Sequence, residues 1–170
     1  MQLRPAQPAD APTLAEFGRA SFAAAFGHLY RPADLAAFEA ETYAVETVAA
    51  EIAGSEYSHM LAESDGRLAG YCKMRVPSKL AVHSAASNPI ELVQLYADPA
   101  RTGQGIGAAL MDWALGLAHD GGHDAILLSV WSGNTGAQRF YARYDFTKIA
   151  DIHFRVGEQL DEEYLFEKRM

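Results

Sequence analysis

The sequence predicts a mixed α/β domain with an antiparallel front and a strand, helix, strand unit behind it. Three observations predict it. Up to Gly54 the apolar residues recur at helical spacing, whereas from Ser58 they alternate on either side of Asp65-Gly66. Further on, "LYADPARTGQGIGAALMDWALGLA" joins a short strand pattern to a long helical one through Gly103, Gly105 and Gly107. At 170 residues the chain is long enough to bury a core without disulfides or a structural metal, so one domain over 1–170 is expected.

Each element has its own signal. Residues 2–7 read as a first strand, and Asp10 as the N-cap of a helix whose Leu14, Phe17, Ser21, Phe22 and Ala25 share a face. The spacing of Phe17, Phe22 and Phe26 marks them as core. "RPADLAAFEAETY" and "AVETVAAEIAG" are two shorter helices, with Pro32 opening one and Gly54 closing the other. "HMLAES" and "RLAGYCKMRV" form a hairpin, because Asp-Gly accepts the positive φ angles of a tight turn. "PSKLAVHSAASNP" is a polar loop, and "IELVQLYA" a strand entering the glycine loop. A helix begins near Gly105 and ends at Gly121-Gly122. "AILLSVW" is a buried strand, "NTGAQRFYARY" a compact helix, and "FTKIADIHFRV" and "EEYLFEKR" are final strands joined by "GEQLD".

Composition narrows the function classes. A net charge of −8 without any Lys/Arg block argues against nucleic acid and favours a cationic partner. The most apolar helix pattern is too short to span a bilayer and carries Asp112, so no membrane partner is expected. A single cysteine, Cys72, within an apolar strand pattern suits a reducing, cytoplasmic setting. Histidines 28, 59, 83, 119, 123 and 153 have no ligand spacing, and no metal is expected. His28 and Tyr30 are candidates for an acceptor cleft, as is His153, while Asp34, Glu39 and Glu41 could attract a cationic amine.

Glycines where a helix begins leave its first amides unshielded at the positive end of the helix dipole, which makes an anion site. A nucleoside-triphosphatase loop needs Lys and Ser/Thr after its last glycine, and Ala108 and Ala109 stand there instead. Gly103, Gly105 and Ala108 satisfy a dinucleotide fingerprint, but "DPART" separates them from the strand and Asp124 precedes, rather than ends, the next one.

The third reading is a coenzyme A pyrophosphate loop. The window "TGQGIG", Thr102 to Gly107, after "LYADP", resembles the central Q/R-x-x-G-x-G/A motif of the GNAT superfamily of N-acetyltransferases. "NTGAQRFYARYDF" is similar to that family's N-x-x-A-x-x-F-Y-x-x-x-G-F. The two motifs stand in the expected order, separated by a helix and a buried strand. The sequence departs from them at Thr102, where the family has Gln or Arg, and at Asp145, where it has Gly. "FGHLY", "LSVWSGNTGAQRFY" and "HFRVGEQLDEEYLFEK" resemble the bacterial branch that includes spermidine/spermine N-acetyltransferases.

The resemblance implies a largely antiparallel central sheet flanked by helices, and transfer of an acetyl group from acetyl-CoA to a primary amine, a polyamine or another small cationic amine. The alternative is a non-catalytic acyl-CoA-binding sensor of the same fold. Tyr141 is implied to protonate the departing thiolate, and Glu91, 14 residues before Gly105, to act as base. Coenzyme contacts are implied at Leu95, Tyr96 and Ala97 for the pantetheine arm and an oxyanion, and at Thr102, Gly103, Gln104, Gly105, Ile106, Gly107 and Ala108 for the phosphates. Asn134, Ala137, Tyr141 and Arg143 complete the set, and the enzyme is expected as a monomer or homodimer.

Overall fold

The computed structural model describes residues 1–101 and 103–170. A seven-stranded sheet carries helices on both faces. Its strands are β1 (Gln2–Pro5), β2 (Tyr57–Ser64), β3 (Arg67–Arg75), β4 (Pro89–Ala97), β5 (Ala125–Trp131), β6 (Thr147–Val156) and β7 (Gln159–Arg169). They lie in the order β1-β2-β3-β4-β5-β7-β6, and β4 with β5 is the parallel pair among antiparallel neighbours. Parallel neighbours need a crossover, and α4 (Ile106–Asp120) supplies it.

Helices α1 (Ala11–Phe26), α2 (Pro32–Thr42) and α3 (Val45–Ala53) cover one face. Leu14 and Val48 meet Leu61 and Tyr71 there, and Phe22 and Tyr43 pack with Val156. On the other face α4 and α5 (Thr135–Ala142) bury Ile106, Leu110, Met111 and Tyr141 against Cys72, Met74, Leu92 and Leu128. Alternation in the strands sets the division. Cys72 and Met74 serve the α4 face, and Tyr71, Lys73 and Arg75 the face under α1–α3. No helix among the described residues is long and apolar enough to cross a membrane.

The hairpin signal holds in detail, with Asp65 at φ 55° and Gly66 at φ 72° joining β2 to β3. Asp145 takes φ 64°, the left-handed conformation that the family's glycine provides at that place. Two local expectations are corrected. Asp10 precedes α1 but does not cap it. Its carboxylate accepts two bonds from Arg4, at 2.7 and 2.8 Å, and one from the Gln7 amide, because a bidentate guanidinium outcompetes a helix amide. The joint between the last strands is shorter than "GEQLD": β6 ends at Val156 and β7 begins at Gln159, with Gly157 at φ 58° making the turn.

Candidate active site

β4 and β5 start as neighbours and then part. Their pairing runs only from Pro89↔Ala125 to Glu91↔Leu127, although β4 continues to Ala97 and β5 to Trp131. At the same place the β3–β4 register slips, from Lys73↔Gln94 to Met74↔Leu92, leaving Val93 as the extra residue of a bulge. A bulge bends its strand and holds one residue out of the ladder. Beyond Glu91 the edge of β4 therefore has main-chain groups that β5 does not satisfy.

The parting opens a cleft of about 720 Å³, a volume suited to a cofactor-sized ligand. Leu92, Val93, Gln94, Leu95 and Tyr96 form one wall, and Ser129, Val130, Trp131, Asn134, Ala137 and Tyr141 the other. α5 reaches the cleft because Asn134 caps it, its side chain accepting from the Ala137 amide at 3.1 Å. Tyr141 is held one helical turn later by edge contacts with Phe146 and Phe140, at ring separations of 5.8 and 5.4 Å. Its hydroxyl makes no hydrogen bond among the described residues, and the residue lines the cleft. Burial pushes that hydroxyl, and the thiol of nearby Cys72, well above their ordinary ranges.

The glycine loop lies at the outer end of β4. Gly103 and Gly105 have φ 81° and 80°, and a Cβ at either would meet nothing within 4 Å. These glycines are required by backbone conformation, and their open side leaves approach to the main chain unhindered. Gly105 stands at the N-cap without any side-chain cap, so the first amides of α4 point outward without a partner from it. Gly107 sits against Phe140, whose ring carries the Arg143 guanidinium 5.5 Å above it. Thr102 lies outside the described residues.

The predicted residues thus divide. Leu95, Tyr96, Asn134, Ala137 and Tyr141 line the cleft, while Ala97, Gly103, Gln104, Ile106 and Ala108 follow it along the outer end of β4 and the start of α4. Arg143 is exposed beside that loop. Glu91 is brought elsewhere. It lies in the paired part of β4, buried, with Arg75 at 2.5 Å, Ser78 Oγ at 3.2 Å and the Lys79 amide at 2.8 Å all donating to it. The expectation of a base at Glu91 is corrected accordingly: its oxygens are consumed by donors, and it is absent from the cleft lining.

Another carboxylate occupies the cleft. Glu163 on β7 is paired across to Trp131, accepts a hydrogen bond from Ser129 Oγ and lines the cavity. Burial pushes its carboxyl up to about 6, against the Ser129 bond and with a contribution from the charge of Asp161. Asp161 in turn accepts from the Tyr30 hydroxyl, so Tyr30 stands behind the wall instead of lining it. His28 and His153 are not among the lining residues, and Asp34 is a buried brace that accepts from Arg31 at 2.7 Å and from the Glu158 amide at 2.9 Å. Phe22, Phe26, Phe38 and Phe154 roof this end, with Phe26 edge-on to Trp131 at 6.5 Å. The Phe22 and Phe26 of the α1 pattern are therefore both packing residues and cleft lining.

The acetyltransferase (GNAT) family model covers residues 23–146. The chain belongs to the acetyltransferase (GNAT) family. It is an acetyl-CoA-dependent N-acetyltransferase. An uncharacterized N-acetyltransferase of Lactobacillus delbrueckii subsp. lactis is 26% identical over 161 residues, which are 95% of this chain and 92% of that protein. Among solved structures, the PaiA N-acetyltransferase of Thermoplasma acidophilum in complex with coenzyme A superposes with a TM-score of 0.81 at 22% identity, covering 99% of this chain and 98% of that one. Arabidopsis thaliana NAA60 in complex with acetyl-CoA gives 0.75 at 18%, covering 99% and 98%. The mostly antiparallel sheet and its flanking helices are the fold of these acetyltransferase structures.

Proposed function

We propose that this N-acetyltransferase acts on the primary amine of a small molecule, with Tyr141 as general acid and Glu163 as general base. Acetyl-CoA lies along the split, its pyrophosphate on the amides of residues 103–108 and its pantetheine arm beside the open edge of β4 at Leu95, Tyr96 and Ala97. The amine nitrogen attacks the thioester carbonyl, forming a C–N bond and an oxyanion that main-chain donors at the Val93 bulge stabilise. The proton leaving nitrogen passes to Glu163, directly or through water. Collapse breaks the C–S bond, and the thiolate takes its proton from Tyr141 Oη.

The observation that carries this reading is the placement on one cleft of a tyrosine hydroxyl with no hydrogen bond among the described residues and a half-buried carboxylate. A carboxyl near pH 6 is ionised at neutral pH yet basic enough to share a proton. Although burial makes Tyr141 a weaker acid, the same burial raises a thiolate formed beside it, so the transfer is not opposed. The acidity of the whole chain supports a cationic acceptor such as a polyamine; the charges near the cleft narrow the class in another direction, as argued below. The test is acetyl-CoA turnover against a panel of amines, read as free thiol. Amine-dependent thiol release supports the reading, while coenzyme binding without release from any amine would favour a sensor.

A further inference from the structure

At the far side of the cleft from Glu163, β3 presents two buried cations. Lys73 and Arg75 are 5% and 8% exposed, and both line the cavity together with Lys79. Each has a carboxylate: Lys73 Nζ donates to both oxygens of Glu51, at 3.1 and 2.9 Å, and Arg75 to Glu91. The exposed Lys79 ammonium has no ion-pair partner among the described residues, so Lys73, Arg75 and Lys79 stand against Glu51 and Glu91 at this corner, with Glu41 and Arg155 also among the cleft-lining residues.

The donors are not all used. Arg75 Nε is buried and lacks any hydrogen-bond partner among the described residues, and its third group reaches only the Tyr57 hydroxyl at 3.4 Å. A buried guanidinium N–H without an acceptor is costly in a finished core. That N–H lies behind the cleft wall, while Arg75 as a residue lines the cavity beside Lys73 and Lys79. Burial lowers the Lys73 ammonium, Glu51 opposes that shift, and the neighbouring charges of Arg75 and Lys79 add smaller lowering contributions.

Resting on the acetyltransferase reading above, we infer that the acceptor is an amine that carries a carboxylate, held by Arg75, Lys73 and Lys79 while its amino end meets the thioester near Glu163. A ligand carboxylate complements the cations that line this corner, with the unpaired Lys79 ammonium as its direct partner. In sheet order β3, β4, β5, β7, the cationic and the acidic strands lie three steps apart, and Glu163 is level with Trp131, four residues along β5 from the Leu127 that is level with Glu91 and Arg75, so the two ends are separated by more than roughly 14 Å between backbones. The side chains of both strands extend into that distance, which leaves space for a spacer of several bonds between amine and carboxylate. A polyamine is disfavoured, since its second ammonium would face three cations.

The experiment compares acetylation of ω-amino carboxylates of graded length with their primary amides, and with spermidine, at saturating acetyl-CoA. The carboxylates should exceed their amides by tenfold or more in kcat/KM. Lys79→Gln, an exposed change that leaves the core intact, should erode that preference by raising KM for the acids alone, and Arg75→Lys should do so more strongly. Equal or better use of the amides or spermidine overturns the inference and leaves the acetyltransferase intact. Failure of every amine on the panel to release thiol, despite a thermal shift with acetyl-CoA, overturns the reading beneath it. Preference for the acids that survives unchanged in both variants places the carboxylate elsewhere and refutes the assigned residues.

Discussion

Replacing Tyr141 with phenylalanine separates chemistry from packing. The hydroxyl makes no hydrogen bond among the described residues, so its loss orphans no partner, and the ring contacts with Phe146 and Phe140 are kept. Stability should stay within about 1 kcal/mol of the parent, or roughly 2–4 °C in Tm for a chain of this size. The coenzyme loop and the β4 edge are untouched. Acetyl-CoA at 100 times its Kd should therefore still add about 2.7 kcal/mol, a rise of roughly 5–11 °C in both proteins. Turnover should not survive. Loss of a general acid costs about 10²- to 10⁴-fold in kcat, which is roughly 3–5 kcal/mol of barrier. The assay is thiol release at saturating acetyl-CoA and amine, with a single-turnover measurement to keep product release from masking the chemical step. Single-turnover rates within a few-fold of the parent would refute the role, and would make the hydroxyl a packing or positioning group.

Four further variants test the remaining assignments. If Glu163 is the base, kcat/KM should fall on the acid side of about pH 6, where its raised carboxyl becomes protonated, and Glu163→Gln should lower the rate and abolish that limb. The sign for stability is opposite: a carboxyl raised on folding binds its proton more tightly in the folded state, so its contribution is full below its unfolded value and lost as pH rises through 6. The glutamine variant should therefore be no less stable than the parent at pH 8, by thermal melts. Glu91→Ala should leave the acid limb in place but cost about 3–5 kcal/mol by stranding buried Arg75, seen as a lower denaturant midpoint. Gly105→Val should remove the acetyl-CoA thermal shift, because φ 80° is strained for a branched residue and its side chain would cover the loop amides; normal binding by a folded variant would sink the loop assignment. Gly70→Ala places a Cβ 2.7 Å from the Tyr96 carbonyl oxygen and Ile106, which should cost about 1–3 kcal/mol and lower Tm.

Periodicity and turn chemistry alone decide which segments become elements. The Asp65-Gly66 hairpin, the glycine loop before α4 and the Asn134 cap act within a few residues of themselves, and local rules suffice to place them. Two motifs in sequence order were likewise enough to indicate the family and Tyr141, since α5 carries that tyrosine as one rigid turn. The acid–base partner was different in kind. Glu91 and Glu163 are each a charged residue in a strand pattern, and alternation gives the side of the strand without giving the neighbour. Only the assembled sheet sets Arg75 opposite Glu91, closing that carboxylate, and inserts β7 beside β5 so that Glu163 opens toward the cleft. The cationic corner has the same origin. In a chain of net charge −8, Lys73, Arg75 and Lys79 are unremarkable in sequence, and they come to line one cleft because β3 turns two of them to one face beside the split between β4 and β5. Contacts between residues distant in sequence depend on strand order and register, which tertiary packing fixes and local sequence does not encode.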